Sequence, residues 1–393
     1  MAVLKFLAIF LILVLLPFGQ IGKIDFNNLS FTFFDIGVIF LVLGWFIYSL
    51  INKKKIKGKL ILSICLFVLA GALSLIVNLY NFSSTQFLVA FSYLVRFIIF
   101  TGVYFVFKDF SRKFNEKIIK YFFLSGIMIL AIGYLQFFFY PNLANLSYLG
   151  WDMHLYRLFA TFLDPNFAGI YFVVILFTGI YLLKKEKNPI YLFFLSFTFL
   201  GIFLTYSRTA LVALTISVIT FLILSKKKKL FVGFIFLVIL CITLIPKSFM
   251  SEGTDLFRTT SINERITSMN RGLTIFIDYP LLGVGFNAYR YAQGKYGFID
   301  SQSKVPLLDR AGAGVENSFI FVLATTGIIG FIAYIFLLIN FIKLFLQKKS
   351  DQYSLIMFSV FIGLIASSLF INSLFYTFIM FWMWMTIGII ESK

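Results

Sequence analysis

The chain alternates long apolar blocks with short polar segments over most of its length. A helix needs about 20 apolar residues to cross a bilayer, and about twelve blocks approach or reach that length. They lie near 3–21, 32–52, 60–79, 86–107, 121–140, 166–183, 190–206, 209–225, 230–246, 316–342, 354–373 and 375–390. The pattern predicts an all-α, polytopic integral membrane protein with about 12 transmembrane helices.

One long segment, 247–315, interrupts the apolar pattern. We expect a single membrane domain in which residues 1–246 form helices 1–9, residues 247–315 form one large loop, and residues 316–393 form helices 10–12. Within the loop, a helical pattern covers about 262–277. Pro280 is expected to end that helix, because proline does not continue a helix, and a glycine-rich turn follows at 283–285.

Composition excludes a soluble globular protein, because 61% of the 393 residues are hydrophobic and only 13% are charged. The net charge of +18 raises the question of nucleic acid. Most basic residues, however, form short runs between apolar blocks, at 53–59, 108–120, 184–187, 226–229 and 343–349. This distribution is typical of the positive-inside rule and argues against a nucleic-acid partner. It predicts that both termini are cytoplasmic and that 247–315 and a shorter loop, 141–165, face outward.

On this topology several charged side chains collect at the outer surface: Arg157, Arg208, Arg265, Arg271 and Glu316. Arg208 lies alone in the two-residue turn between two apolar helices, with no acidic neighbour in sequence. A guanidinium binds phosphate oxygens through a bidentate fork. Arg208 is therefore a candidate phosphate ligand.

Arg265 and Arg271 lie six residues apart in the large loop, on adjacent faces of the expected helix. Either side chain could reach a diphosphate. The structural alternative for each is a salt bridge to Glu264 or Asp278.

Glu316 begins the tenth apolar block, so its carboxylate is expected in the first turn of that helix. A negative charge there interacts favourably with the helix dipole, which is one interpretation. The other is a general base that accepts a proton from an incoming hydroxyl. Asn317 is a hydrogen-bonding partner in either case.

Arg157 and Asn166 lie in the shorter outer loop. Asp164 or Asn166 could simply cap the following helix, where Pro165 suits the first turn. The sequence offers no comparable structural role for Arg157.

Arg96 falls near the middle of the fourth apolar block. A charge at that depth is costly and usually faces the protein interior or a water-filled cavity, which makes Arg96 a secondary site candidate. Snorkelling toward an interface is the alternative.

Several short motifs occur together in one order along about two thirds of the chain. They are an Arg, Thr-Phe and Pro-Asn segment at 157–166, a Ser-Arg turn at 207–208, Arg265 followed by Pro-Leu-Leu-Gly-Val-Gly at 280–285, and Glu-Asn-Ser at 316–318 leading to Gly-Ile-Ile-Gly at 327–330. This ordered set resembles the O-antigen ligase and polymerase superfamily. Two positions depart from the family pattern. Lipid A ligases usually carry His where this chain has Glu316, which favours a polymerase, and Met269 replaces a common Trp.

The resemblance implies a GT-C-like membrane glycosyltransferase without a metal ion or other cofactor. Its donor and acceptor would be polyprenyl-diphosphate-linked oligosaccharides, with a flippase and a chain-length regulator as further partners. Arg208 and Arg265 would bind the donor diphosphate, assisted by Arg157 or Arg271, while Glu316 acts on the acceptor hydroxyl. Asn317, Asn166 and Arg96 would be secondary.

The implied location is a bacterial cytoplasmic membrane, with the site on the outer side. A ligase that acts on lipid A or another acceptor is the alternative within the family. A transporter is less well supported, because it would be expected to show internal repeats and midplane polar groups.

Overall fold

The computed structural model describes residues 1–26, 29–226, 260–298 and 314–392, together with isolated positions between 233 and 255. Within these residues the chain is almost entirely helical. The helices are α1 (Ala2–Phe18), α2 (Phe33–Ile51), α3 (Ile61–Val77), α4 (Ser84–Asp109), α5 (Arg112–Phe139), α6 (Pro165–Glu186), α7 (Ile190–Leu204), α8 (Arg208–Leu224), α9 (Thr260–Asp278), α10 (Tyr289–Lys295), α11 (Ser318–Gln347), α12 (Gln352–Ser367) and α13 (Thr377–Glu391).

The apolar blocks explain these helices and confirm the predicted fold class. Five helices, α2, α4, α5, α6 and α11, are long and apolar enough to cross a membrane, and six shorter apolar helices accompany them. Eleven of the predicted blocks coincide with a helix. The ninth, 230–246, lies almost entirely outside the described residues. The chain is an all-α polytopic membrane protein.

A short antiparallel hairpin follows α1 and was not predicted. It pairs β1 (Lys23–Phe26) with β2 (Leu29–Thr32). Thr32 ends the hairpin and begins α2, because its hydroxyl accepts a hydrogen bond from Asp35 N and the Asp35 carboxylate accepts one from Thr32 N. This reciprocal capping box explains the start of α2.

The core is built around α13. Every residue from Thr377 to Ile390 is buried, whereas α3 leaves Leu62, Leu69 and Ile76 exposed along one side. A helix that is apolar all round is expected in the middle of a membrane protein or against lipid. Because α13 packs against α4, α11 and α12 and is buried on every side, it lies inside the bundle.

The segments between helices separate into two polar ends. At one end the basic runs contact the last residues of α11 and α6: Lys59 Nζ donates to Gln347 Oε1 at 2.6 Å, and Lys120 Nζ lies 2.7 Å from Glu186 Oε1. Lys108 Nζ donates to Lys57 O at 2.7 Å. Four of the predicted basic runs, 53–59, 108–120, 184–187 and 343–349, therefore meet at one end of the molecule, and the fifth, 226–229, lies almost entirely outside the described residues.

The opposite end brings together the segments predicted to face outward. Gln20 N donates to Thr161 O at 2.8 Å, and Asn317 Nδ2 donates to Leu369 O at 2.9 Å. We call this the outer end, following the prediction from the positive-inside rule.

Helix α11 is broken at Gly327, where φ is 62° and ψ is −166°. The break leaves backbone N–H and C=O groups of α11 without partners inside the helix, and the 280–285 turn forms hydrogen bonds with them. Val284 N donates to Ala324 O at 3.0 Å, and Ile328 N donates to Pro280 O at 2.8 Å. Broken helices at membrane depth are tolerated where other protein groups satisfy the freed backbone. The Pro-Leu-Leu-Gly-Val-Gly and Gly-Ile-Ile-Gly motifs are thus two halves of one structural unit.

Polar side chains at the C-terminal end of α3 tie this unit to the rest of the protein. Ser74 Oγ lies within hydrogen-bond distance of both Leu282 O and Thr325 O, at 2.5 and 2.7 Å. Asn78 Nδ2 donates to Gly283 O at 2.9 Å. The turn therefore holds the C-terminal end of α9 in a defined place.

Candidate functional site

Arg208 is the first residue of α8, at the outer end. Tyr206 has a positive φ of 48°, and Ser207 caps the helix by accepting a hydrogen bond from Ala210 N at 3.3 Å. The predicted two-residue turn between α7 and α8 is therefore present. The Arg208 guanidinium donates to the hydroxyl of Ser261 on α9, which joins this turn to the large loop.

Arg265 pairs with Glu316 across 51 residues of sequence. Its Nε donates to Glu316 Oε2 at 2.8 Å, and Glu316 N donates to Ser268 Oγ at 3.2 Å. Ser261, Arg265 and Ser268 are spaced four and three apart, so they share one face of α9. That spacing is the signal by which the sequence could have identified both serines. The sequence had offered Glu264 or Asp278 as partners of Arg265, but the structure pairs it with Glu316.

Asn317, not Glu316, caps α11. Asn317 Oδ1 accepts from Phe319 N at 2.8 Å and from Ile320 N at 3.0 Å. The prediction that Glu316 lies in the first helical turn is wrong, because Glu316 precedes the cap and the Asn317 side chain satisfies the N–H groups of that turn. The Glu316 carboxylate is thereby directed to Arg265.

The Glu316 carboxyl is partly exposed and yet has a raised pKa. Its side chain is 48% exposed, yet desolvation raises the pKa of its carboxyl, opposed by Arg265 and reinforced by the negative charges of Asp164 and Glu264. Both fit a carboxyl that water reaches on one side while protein surrounds it on the others.

Asp164 is the carboxylate that the sequence treated only as a cap. It does cap α6, with Oδ1 accepting from Asn166 N at 2.7 Å and from Phe167 N at 3.4 Å. Burial raises its pKa, while those hydrogen bonds and the charges of Arg157 and Arg265 oppose the rise. Asp164 thus belongs electrostatically to the same site.

Arg157 has a structural role, contrary to the expectation from sequence. It is 5% exposed, and its Nε donates to Thr205 O at 2.9 Å while Nη2 donates to Tyr206 O at 3.3 Å. These are carbonyls at the C-terminal end of α7, where a cation is favoured. Asn166 Oδ1 accepts from Ser207 Oγ at 3.0 Å and from Arg157 at 3.4 Å, which completes the junction of α6, α7 and α8.

Arg271 is not brought into this group. Its guanidinium lies over the Phe298 ring, 5.6 Å from the centroid. The six-residue separation from Arg265 places the two side chains in different surroundings. The structure therefore does not support the assignment of Arg271 as a diphosphate ligand.

Arg96 is compensated inside the helix bundle. Its Nη2 lies 2.7 Å from Asp35 Oδ1, its Nε donates to the same oxygen at 2.9 Å, and it also donates to the Thr377 hydroxyl. Asp35 is 1% exposed. The ion pair joins α2, α4 and α13, and explains the buried charge without snorkelling.

Two arginines at the outer end repel each other. Arg208 and Arg265 lie within electrostatic range, and each is held by a different element. An anion bound between the two guanidiniums would relieve this repulsion. No group of three His, Cys, Asp or Glu side chains suited to a metal ion occurs in the part of the chain that the structure describes.

Comparison with known proteins agrees with the motifs. Residues 190–335 match the family model described as O-antigen ligase. None of the curated proteins compared with the chain matches it. The matched segment runs from α7 into α11 and includes Arg208, Arg265 and Glu316. Over residues 190–335 the chain is similar to the O-antigen ligase family, which supports its resemblance to the O-antigen ligase and polymerase superfamily.

Proposed function

We propose that the protein is a polysaccharide polymerase. It transfers a glycan from a polyprenyl-diphosphate carrier to the non-reducing sugar of another lipid-linked repeat unit. The observation that carries the proposal is the group of Arg208, Arg265 and Glu316 at one polar end, with the two guanidiniums near each other and the carboxylate bonded to one of them.

In the reaction, the acceptor hydroxyl oxygen forms a bond to the anomeric carbon. The bond from that carbon to the diphosphate oxygen breaks, and the electron pair leaves with the diphosphate. Arg208 and Arg265 stabilise the charge that develops on the leaving group. The acceptor proton moves to Glu316, and direct displacement inverts the anomeric centre.

Arg265 can bind Glu316 and the donor diphosphate at the same time. A guanidinium carries five N–H donors, and the bond to Glu316 uses Nε–H. The terminal amino groups are therefore suited to the diphosphate while Nε orients the carboxylate. Arg265 would thereby hold the carboxylate and the diphosphate within reach of one guanidinium.

The environment of Glu316 suits a general base. Desolvation raises the pKa of its carboxyl, and a base is more effective when its pKa approaches the working pH. Arg157, Asn166 and Asn317 act by positioning, since they hold the ends of α7, α6 and α11 through the hydrogen bonds described above.

The alternative within the family is a ligase that transfers the glycan to lipid A or another acceptor. The description of the matched family, O-antigen ligase, favours it. Glu316 in place of the His usual in lipid A ligases favours the polymerase. In either case we place the site outside a bacterial cytoplasmic membrane, supplied by a flippase, with product length subject to a chain-length regulator.

The test uses purified protein in lipid nanodiscs with a lipid-linked oligosaccharide, and products are separated by gel electrophoresis. Loss of one preorganised donor to a developing anion typically lowers the rate about 100- to 1,000-fold. We expect losses of this size for Arg208→Ala and for Arg265→Ala. Arg271→Ala is the matched control on the same helix as Arg265 and should keep near wild-type activity.

Equal activities of the Arg265→Ala and Arg271→Ala variants would contradict the site. A ladder of products on the isoprenoid carrier indicates a polymerase. Glycan transferred once to a different acceptor, with no ladder, would instead establish the ligase.

A further inference from the structure

A cavity lies at the outer end, and Arg208, Arg265 and Glu316 are not among the residues that line it. It has a volume of about 260 Å³ and is open to the outside. We call it the outer cleft. Its lining includes Asn78, Asn81, Phe82, Tyr279, Tyr291 and Lys295.

Hydrogen bonds fix one wall of the outer cleft. Lys295 Nζ donates to Asn81 Oδ1 at 3.0 Å, and Asn81 Nδ2 donates to Asn78 Oδ1 at 3.2 Å. Asn78 is in turn bonded to Gly283 O of the 280–285 turn. Polar groups that are already ordered lose little entropy on binding a ligand.

Aromatic rings form the other wall. Tyr291 packs edge-on against Phe82 with ring centroids 6.4 Å apart, and the side chains of Tyr279 and Tyr291 both remain partly accessible. A sugar ring has an apolar C–H face and polar hydroxyl edges. Aromatic rings complement the face, while amides and an ammonium complement the hydroxyls. An acyl chain has no polar groups that could form hydrogen bonds with Lys295, Asn81 and Asn78.

Helix α9 connects the outer cleft to the proposed reaction site. Arg265 lies near its beginning and Tyr279 directly follows its last residue, so the two are 14 residues apart. At 1.5 Å per residue this corresponds to about 21 Å along the helix. A glycan of several sugars could therefore contact both places at once.

We propose that the outer cleft is a second glycan-binding subsite, which holds the acceptor or growing glycan several sugars away from the bond being formed. This inference rests on the proposed function, because it supplies a glycan substrate. Binding there keeps the chain on the enzyme between additions, so its loss shortens products more than it slows the first transfer.

Direct binding is the first test. The probe is the free oligosaccharide released by mild acid from the lipid-linked repeat unit, added to full-length protein in nanodiscs and followed by saturation-transfer NMR. Removal of one aromatic partner corresponds to about fivefold weaker binding. We expect this for Tyr291→Ala, and a smaller loss for Lys295→Ala, which changes an exposed side chain and leaves packing intact.

The matched control is Tyr80→Ala. Tyr80 lies on the same turn as Asn81, is fully exposed and does not line the outer cleft. Wild-type binding by this variant together with weaker binding by the other two supports the subsite. Equal binding by all four proteins overturns it, and so does loss of the oligosaccharide signal when phosphatidylglycerol is added, because the cleft is then a lipid site.

Product length is the second test. In the ladder assay, Tyr291→Ala and Lys295→Ala should make the first linkage at near the wild-type rate and give a shorter length distribution. If wild-type protein makes no glycan linkage at all, the proposed function fails. If it makes long products and both variants match them, only the subsite fails.

Discussion

Replacement of Gly283 by alanine should destabilise the protein strongly. Gly283 has a φ of +66°, and an added Cβ would lie 2.4 Å from Thr325 C and 2.5 Å from Thr326 N. Backbone atoms cannot rotate away as a flexible side chain can. The 280–285 turn would therefore have to withdraw from the break in α11.

The magnitude follows from the contacts that the turn makes. A left-handed conformation costs a non-glycine residue about 1–2 kcal/mol. Withdrawal would also break the bonds from Val284 N to Ala324 O, from Gly285 N to Thr325 O and from Asn78 Nδ2 to Gly283 O. Buried hydrogen bonds contribute about 1 kcal/mol each, so the total is roughly 4–5 kcal/mol. That is a large fraction of typical stability.

Gly297→Ala is the matched control. Gly297 also has a φ of +66°, but an added Cβ would have no atom within 4 Å. The Gly297→Ala variant should lose only the stability that the left-handed backbone conformation costs, about 1–2 kcal/mol. Unfolding of both variants in mixed detergent micelles, followed by intrinsic fluorescence, measures the difference. If the two variants are destabilised equally, close packing of the turn against α11 is not what requires glycine at 283.

Further predictions concern the charged groups. Arg208→Lys should impair glycan transfer severely, since a point charge lacks the bidentate fork; the ladder assay measures this. In wild-type protein the transfer rate should rise with pH through an inflection above 4.5, because the raised pKa keeps Glu316 protonated to a higher pH; Glu316→Gln should be slow and lack this inflection. Arg96→Met should lower stability by about 3–5 kcal/mol by leaving Asp35 buried and unpaired, and added Asp35→Asn should restore part of it. Arg157→Met should cost about 1–3 kcal/mol through the unsatisfied α7 carbonyls; unfolding measurements check both.

Local sequence was sufficient for much of the fold. The length of each apolar block predicted a helix at eleven positions, because a helix satisfies its own backbone hydrogen bonds and needs no partner in lipid. Pro280 and the following glycines predicted the end of α9 for similarly local reasons. Ser207 and Arg208 were recognised as a tight turn because only two residues separate two apolar blocks.

Distant contacts were beyond such reasoning. Arg96 meets Asp35 from 61 residues away, and Arg157 reaches carbonyls 48 and 49 residues further along the chain. Nothing near either arginine in sequence marks these partners. The sequence therefore presents each as a candidate ligand, although the helix bundle already provides hydrogen-bond acceptors for both.

The sequence by itself determined that this is a helical membrane protein with arginines and a glutamate at one end, since hydrophobic periodicity and charge distribution are local properties. Only the tertiary structure decided that Arg265 meets Glu316, that Arg271 does not join them, and that α11 breaks to receive the 280–285 turn. These outcomes depend on which helices become neighbours. Many weak packing contacts, summed over the whole bundle, make that choice, and no single segment carries the information.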